Sequence, residues 1–195
     1  MTRTIAGIAT AVALASAVAC AADKPSSPNE VRIPIFDRSS AENNLGTHLD
    51  GPGENPPRPS QGQGQAIFRI SDDSQSVDYK LIASNIDNVF MAHIHLAPVG
   101  VNGPIVEWLY PSTAPTPGPA GAGRFDGVLA SGTFTAANLV GPLAGHPLSD
   151  LISAMRTGGA YVNVHTDDGV APTNTGPGDF PGGEIRGQLA APGKM

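Results

Sequence analysis

Two stretches of the sequence decide the fold, and they read Met91-Ala-His-Ile-His-Leu96 and Ala160-Tyr-Val-Asn-Val-His-Thr166. Both have the alternation of a β-strand, in which successive side chains point to opposite faces. His93 and His95 are therefore predicted to share one face of the first strand, opposite an apolar row. On the second strand the same alternation gives a polar face made of Tyr161, Asn163 and His165.

A third polar row follows in the segment Gly182-Gly-Glu-Ile-Arg-Gly-Gln-Leu189. Its alternation predicts Glu184, Arg186 and Gln188 on one face, with apolar side chains behind them. A solvated strand surface is normally filled with Lys, Glu, Ser and Thr, which does not match these rows. We therefore expect the three rows to lie side by side and to form either a site or a buried polar network.

The composition is typical of a loop-rich β protein. The chain has 195 residues with 24 Gly and 19 Pro, while charged residues make up 14% and aromatic residues 5%. This length allows one domain with a core of ordinary size. The formal net charge of -6 argues against nucleic acid as a partner, because phosphate binding needs clustered Lys and Arg.

The N-terminus is predicted to direct export. Residues 1–20 combine a basic Arg3, an apolar run and a small-residue cleavage site that is followed at once by Cys20, as in a lipoprotein signal peptide. Lipidation of Cys20 would anchor the protein in the cell envelope, and simple secretion is the alternative. Residues 21–43 are predicted to form a tether and a first edge strand. Cys20 is the single cysteine, so an intramolecular disulfide is excluded.

Turn signals and periodicity predict the remaining elements. Residues 65–70 and 76–83 alternate and are separated by a turn, which indicates a β-hairpin. Residues 149–157 have apolar residues at helical spacing, with Ser149 as the expected N-cap and Gly158 as the stop. Residues 40–63 are rich in Gly, Pro and Asn and are predicted to be a long loop. Together the short strands and one short helix predict an all-β, antiparallel sandwich or barrel.

The histidine motifs, in this order, resemble the CHRD domain, a family named after the secreted protein chordin. The similarity covers residues 44–189, with residues 190–195 as a tail, and rests on His93-Ile-His-Leu96, Gly100-x-Asn102-Gly103-Pro104, the strand ending at Thr166 and Gly183-Glu-Ile-Arg-Gly-Gln188. The resemblance implies an immunoglobulin-like or Cu/Zn superoxide dismutase-like β-sandwich. It does not by itself imply an activity.

Two hypotheses account for the polar rows. In the first, His93, His95 and His165 form a copper or zinc site, because two histidines at i and i+2 and a third from another strand supply three nitrogens. Glu184 or Asp179 is then a candidate carboxylate ligand.

In the second hypothesis the row is structural, and the network of Asn163, Glu184 and Arg186 satisfies itself by hydrogen bonds. Arg186 would then pair with a carboxylate such as Asp167. His48 and His146 are predicted to be exposed loop residues, and Trp108 a core residue.

The sequence favours a non-catalytic protein. It has no Gly-x-Ser-x-Gly motif, no dinucleotide fingerprint, and none of the further ligand histidines or the disulfide of a superoxide dismutase. The predicted function is therefore an exported binding or scaffold module for an unknown protein or small ligand, with contact to a membrane only through the lipid anchor. The alternative is an extracytoplasmic copper- or zinc-binding protein.

Overall fold

The computed structural model describes residues 43–111 and 115–190. The predicted signal peptide, Cys20, nearly all of the tether with its edge strand, and residues 191–195 of the tail lie outside the described residues. No helix in the described ranges is long and apolar enough to cross a membrane.

The described residues form one eight-stranded sheet in the order β5-β4-β7-β8-β1-β2-β3-β6. All of its strand pairs are antiparallel. The strands are β1 (Asn44–Asp50), β2 (Gln63–Ile70), β3 (Val77–Asp87), β4 (Val89–Leu96), β5 (Ile105–Tyr110), β6 (Arg124–Phe134), β7 (Ala160–Thr166) and β8 (Ile185–Leu189). One α-helix, α1 (Leu148–Thr157), is present in this part of the chain. The predicted all-β antiparallel class with one short helix is confirmed.

The sheet nearly closes on itself, and its two edge strands β5 and β6 meet at a seam. The Tyr79 hydroxyl on β3 donates to the Leu109 carbonyl on β5 at 2.9 Å. Its ring lies against Gly132 on β6, where even a Cβ atom would lie 3.0 Å from the ring. The Val140 N–H donates to the Val106 carbonyl at 2.9 Å. Side-chain and loop hydrogen bonds therefore cover part of the β5 edge.

The apolar rows of the strands form one core together with one face of α1. The helix buries four side chains, namely Leu148, Leu151, Ile152 and Met155. Its end matches the prediction, because Gly158 adopts the left-handed conformation with φ 81°. The expected Ser149 cap is wrong: the helix begins one residue earlier, and Pro147 stands at the N-cap without a side-chain hydrogen bond.

The predicted loop of residues 40–63 contains strand β1, so that prediction is wrong. Leu45, Thr47 and Leu49 alternate inward and pair with β2. The small and polar residues between them hid the alternation in the sequence. His48 is exposed as predicted, but it lies on this strand and not in a loop.

The register of β4, β7 and β8 brings the polar rows together. His93 lies opposite Asn163, which lies opposite Arg186, and His95 lies opposite Tyr161. Residues opposite each other on neighbouring strands share a face. The sheet order therefore makes one polar face from three rows that are far apart in the sequence.

The close approach of β1 and β8 predicts that β8 tolerates no side chain at Gly187. A Cβ there would overlap the backbone carbonyl of His48 on β1. Gly187→Ala should lower the free energy of unfolding by about 1–3 kcal/mol or more, as overpacking of a core does.

Urea unfolding followed by circular dichroism measures this change. Gly176→Ala is the matched control, because nothing lies within 4 Å of its Cβ position. Equal stability of the two variants would contradict the close approach of β1 and β8.

Candidate metal centre

Three histidines from two neighbouring strands converge in a buried cluster. His93 and His95 lie on β4 and His165 on β7, and each offers a ring nitrogen within 4.8 Å of the other two. His93 Nδ1 and His165 Nε2 are 3.2 Å apart. The exposed fractions of the residues are 0%, 7% and 5%, so the cluster is shielded from solvent.

Backbone carbonyls set the tautomers of two of these rings. His95 Nδ1 donates to the Gly103 carbonyl and His165 Nδ1 donates to the Pro181 carbonyl, each at 2.9 Å. Because a carbonyl only accepts, the hydrogen of each neutral ring is on Nδ1 and the lone pair is on Nε2. Carbonyl bonds of this kind also orient metal-binding imidazoles.

The cluster contains more hydrogen-bond acceptor atoms than N–H groups that could donate to them. Asn163 Oδ1 lies 2.9 Å from His165 Nε2, so two acceptor atoms face each other. The His93 Nδ1–H can supply the one hydrogen bond to His165 Nε2. The Nε2 atoms of His93 and His95 then have no hydrogen-bond partner among the described residues. The histidine part of the polar row therefore has nitrogen lone pairs that no N–H group satisfies. A bound cation would accept these lone pairs.

Burial keeps the imidazoles neutral. It is the largest cause that lowers the pKa of His93, and burial together with the neighbouring His165 and His95 brings this pKa to about 2. Burial likewise lowers the pKa of His165 to about 4, opposed by the hydrogen bond to Pro181. The pKa of His95 is also lowered, mainly by burial, although the Gly103 hydrogen bond opposes this. Neutral imidazole is the form that binds a metal ion.

Aromatic rings hold the cluster in place. The Trp108 ring lies edge-on to His93 with centroids 4.1 Å apart. Tyr161 stacks on His95 at 4.8 Å with an interplanar angle of 7°. The Arg186 guanidinium lies 3.3 Å from the centroid of the Tyr161 ring. Trp108, predicted as a core residue, is partly exposed and lies beside a candidate ligand.

Arg186 ties the candidate site to the loop that follows β4. It donates to Asn102 Oδ1 at 3.1 Å and to the Val101 carbonyl at 3.0 Å. The expected pair with Asp167 is wrong, since none of the ion pairs found among the described residues includes Arg186. Arg186 instead fixes the loop that presents the Gly103 carbonyl to His95.

Glu184 belongs to a separate and fully satisfied network. Its carboxylate accepts hydrogen bonds from Ser60 Oγ at 2.5 Å, Thr166 Oγ1 at 2.5 Å and the Gly178 N–H at 2.7 Å. These bonds join the loop before β2 and the loop before β8 to the end of β7. Neither of the expected carboxylate ligands joins the histidine cluster, because Asp179 groups with other aspartates.

Glu54 is a buried residue that the sequence did not reveal as part of this region. It is 6% exposed, and burial raises its pKa to about 7, while nearby Arg186 opposes that rise. The nearby Asn163 side chain also lowers this pKa, and the Oε1 atom of Glu54 has no hydrogen-bond partner among the described residues. Glu54 follows Gly and Pro residues in the predicted loop, where no periodicity marks it as buried.

The fold and the site define an antiparallel all-β domain with a buried three-histidine cluster. The family model for the CHRD domain matches residues 45–189, which is most of the chain, and the protein therefore belongs to the CHRD domain family. Comparison with curated proteins and with solved structures gives no match. The role of His93, His95 and His165 as metal ligands stays a prediction.

The tautomers and the low pKa values can be tested directly. In the metal-free protein at pH 5, we expect His93 and His165 to be neutral and the hydrogens of His95 and His165 to be on Nδ1. Long-range ¹H–¹⁵N NMR spectra distinguish these states. A cationic His93 or His165 ring at pH 5 would contradict the burial argument.

The free energy of unfolding should depend on pH through the protonation of the same imidazoles. In the unfolded chain these imidazoles take up protons near pH 6.5. Their contribution to stability is therefore complete above pH 6.5 and is lost as the pH falls toward the folded-state pKa values, by at most about 1.4 kcal/mol per pH unit for each ring.

Proposed function

We propose that this CHRD domain is an exported binding module whose ligand is a copper or zinc ion held by His93, His95 and His165. The observation that carries the proposal is the convergence of three buried, neutral imidazoles with fewer N–H groups than acceptors. Family membership supports the broader function of a binding or scaffold module. A protein or small ligand at another surface is compatible with the metal site.

The donor set favours copper or zinc over harder cations. Three imidazoles without a carboxylate suit borderline metals such as Zn and Cu, whereas Ca and Mg require oxygen ligands. Three protein ligands also leave a fourth position for an exogenous group. The carbonyl bonds to His95 and His165 hold two rings in the tautomer that presents Nε2 as a ligand atom.

The distances suit a metal ion after small side-chain movements. Tetrahedral Zn–N bonds of about 2.0–2.1 Å separate two ligand nitrogens by about 3.3 Å. The 3.2 Å between His93 Nδ1 and His165 Nε2 is already at that value, and His93 can bind through Nδ1 once its hydrogen moves to Nε2. The widest separation, at most 4.8 Å, has to shrink as the third ring approaches the ion.

Metal content of the purified domain without a His tag tests the proposal. The wild-type domain should bind one copper or zinc ion per chain by elemental analysis, and His93→Ala combined with His95→Ala should abolish binding. The matched control is His48→Ala with His146→Ala, because both of these residues are exposed and lie outside the cluster. This variant should bind metal like the wild type.

Fluorescence supplies a second measurement that does not depend on the double variant folding. Trp108 is the only tryptophan, and its ring is 4.1 Å from that of His93, so Cu²⁺ at the cluster should quench its emission. His165→Gln should remove the stoichiometric quenching while circular dichroism shows an unchanged fold. Wild-type protein that takes up neither metal, or a control variant that loses it, would refute the proposal.

We also propose that the protein is exported and lipid-anchored through Cys20. The support is the basic, apolar and small-residue order of residues 1–20, with Cys20 directly after the cleavage site. Cys20→Ser should move the protein from the membrane fraction to the soluble fraction of the export compartment, as immunoblotting of fractions would show. Wild-type protein that is already soluble there would rule out the anchor.

A further inference from the structure

The seam between β5 and β6 contains a cavity that is separate from the histidine cluster. Its volume is about 270 Å³. None of its described lining residues is basic, and these residues are Tyr79, Glu107, Trp108, Pro111, Ser131, Gly132, Thr133, Phe134, Asn138 and Val140. The cavity is therefore a mostly uncharged space with a single carboxyl group.

Glu107 is the unusual member of this lining. It is only 4% exposed, and its Oε2 atom has no hydrogen-bond partner among the described residues. It lies opposite Ile94 in the register, whereas its neighbour Trp108 lies opposite His93. Glu107 thus belongs to the apolar face of β5, where burial raises the pKa of its carboxyl group to about 8.

An unpartnered buried carboxyl group costs stability. Leaving such a group without a partner costs about 1–3 kcal/mol, more if it is charged, and an apolar residue of the same shape would avoid that cost. Tyr79 does not relieve it, since its hydroxyl donates to the Leu109 carbonyl. A ligand with hydrogen-bond donors and a positive charge would complement the carboxyl group of Glu107 where it borders the cavity.

Two aromatic side chains complete the recognition site. Tyr79 and Phe134 line the cavity, and the faces of such rings attract organic cations. We propose that this cavity binds a small primary alkylammonium ion, with the ammonium group donating to Glu107 and the alkyl chain packing against the aromatic rings.

Size and chemistry exclude other classes of ligand. Pockets for drug-sized molecules enclose about 300–1,000 Å³, so this cavity of about 270 Å³ favours a ligand smaller than those molecules. Divalent metal sites in proteins usually include several carboxylate, imidazole or thiolate ligands, and Glu107 is the only such group among the described lining residues.

Paired probes test the proposal on the purified domain. The cation n-butylammonium and the alcohol n-butanol have the same number of heavy atoms and differ in charge. We expect n-butylammonium to bind with a Kd of about 1 mM, an affinity reasonable for five heavy atoms. Emission of Trp108 and amide shifts in ¹H–¹⁵N spectra report the binding. The affinity of n-butanol should be at least about tenfold weaker, because a charged hydrogen bond is stronger than a neutral one.

Variants identify the group responsible. Glu107→Gln keeps the shape of the side chain and should weaken n-butylammonium binding at least about tenfold, since the charge is lost. Asp126→Asn is the matched control, because Asp126 is an exposed carboxylate on β6 outside the lining. In Asp126→Asn the affinity for n-butylammonium should change less than twofold.

Three outcomes would overturn the proposal: no binding of n-butylammonium, equal binding of the alcohol, or equal binding by a folded Glu107→Gln variant. The two-probe comparison on the wild type decides the question even if the variant does not fold.

The pH dependence gives an independent check. Tyr79 is the only other titratable group in the described lining, and its pKa is raised mainly by burial and also by the charge of Glu107. Because n-butylammonium binds the ionised carboxylate, its affinity should increase as pH rises toward about 8 and then level off. A flat profile between pH 6 and 8 would count against Glu107 as the recognition group.

Discussion

The structure depends on one constraint, which is that a row of polar side chains is buried across the three neighbouring strands β4, β7 and β8. Each buried polar atom needs a partner, or its desolvation costs about 1–3 kcal/mol. Two loop carbonyls, from Gly103 and Pro181, satisfy the Nδ1–H groups of His95 and His165. The loops after β4 and before β8 are therefore as much a part of the site as the strands.

The buried row divides into two networks with different properties. Around Glu184, both carboxylate oxygens accept hydrogen bonds, and the network joins loops to strand ends. Around His93, acceptors outnumber protons and two ring nitrogens lack partners within the described chain. The structural interpretation of the row therefore fits Glu184 and Arg186, whereas the metal hypothesis fits the histidines. The polar row therefore has two explanations, one for its three histidines and one for Asn163, Glu184 and Arg186.

Strand β5 connects the two candidate sites without merging them. Its neighbouring residues Glu107 and Trp108 lie opposite Ile94 and His93 of β4, so they face the core and the histidine cluster respectively. The seam exists because the sheet closes through the Tyr79 hydroxyl and the Val140 amide and not through a β5–β6 ladder. Incomplete closure leaves room for the cavity, which a regular barrel of this size would fill with side chains.

The sequence by itself determined which residues lie on the polar faces of β4, β7 and β8, because period-two alternation is a local property of an extended chain. It also determined the antiparallel all-β class, the hairpin of β2 and β3, and the end of α1 at Gly158. It did not determine β1, whose Leu45 and Leu49 alternate among small and polar residues that favour a loop.

Only the tertiary structure decided that His93 and His165 come within 3.2 Å, and that Glu54 and Glu107 are buried. Those facts follow from the order of strands in the sheet and from its closure. Strand order depends on contacts between residues distant in the chain, which no local pattern records.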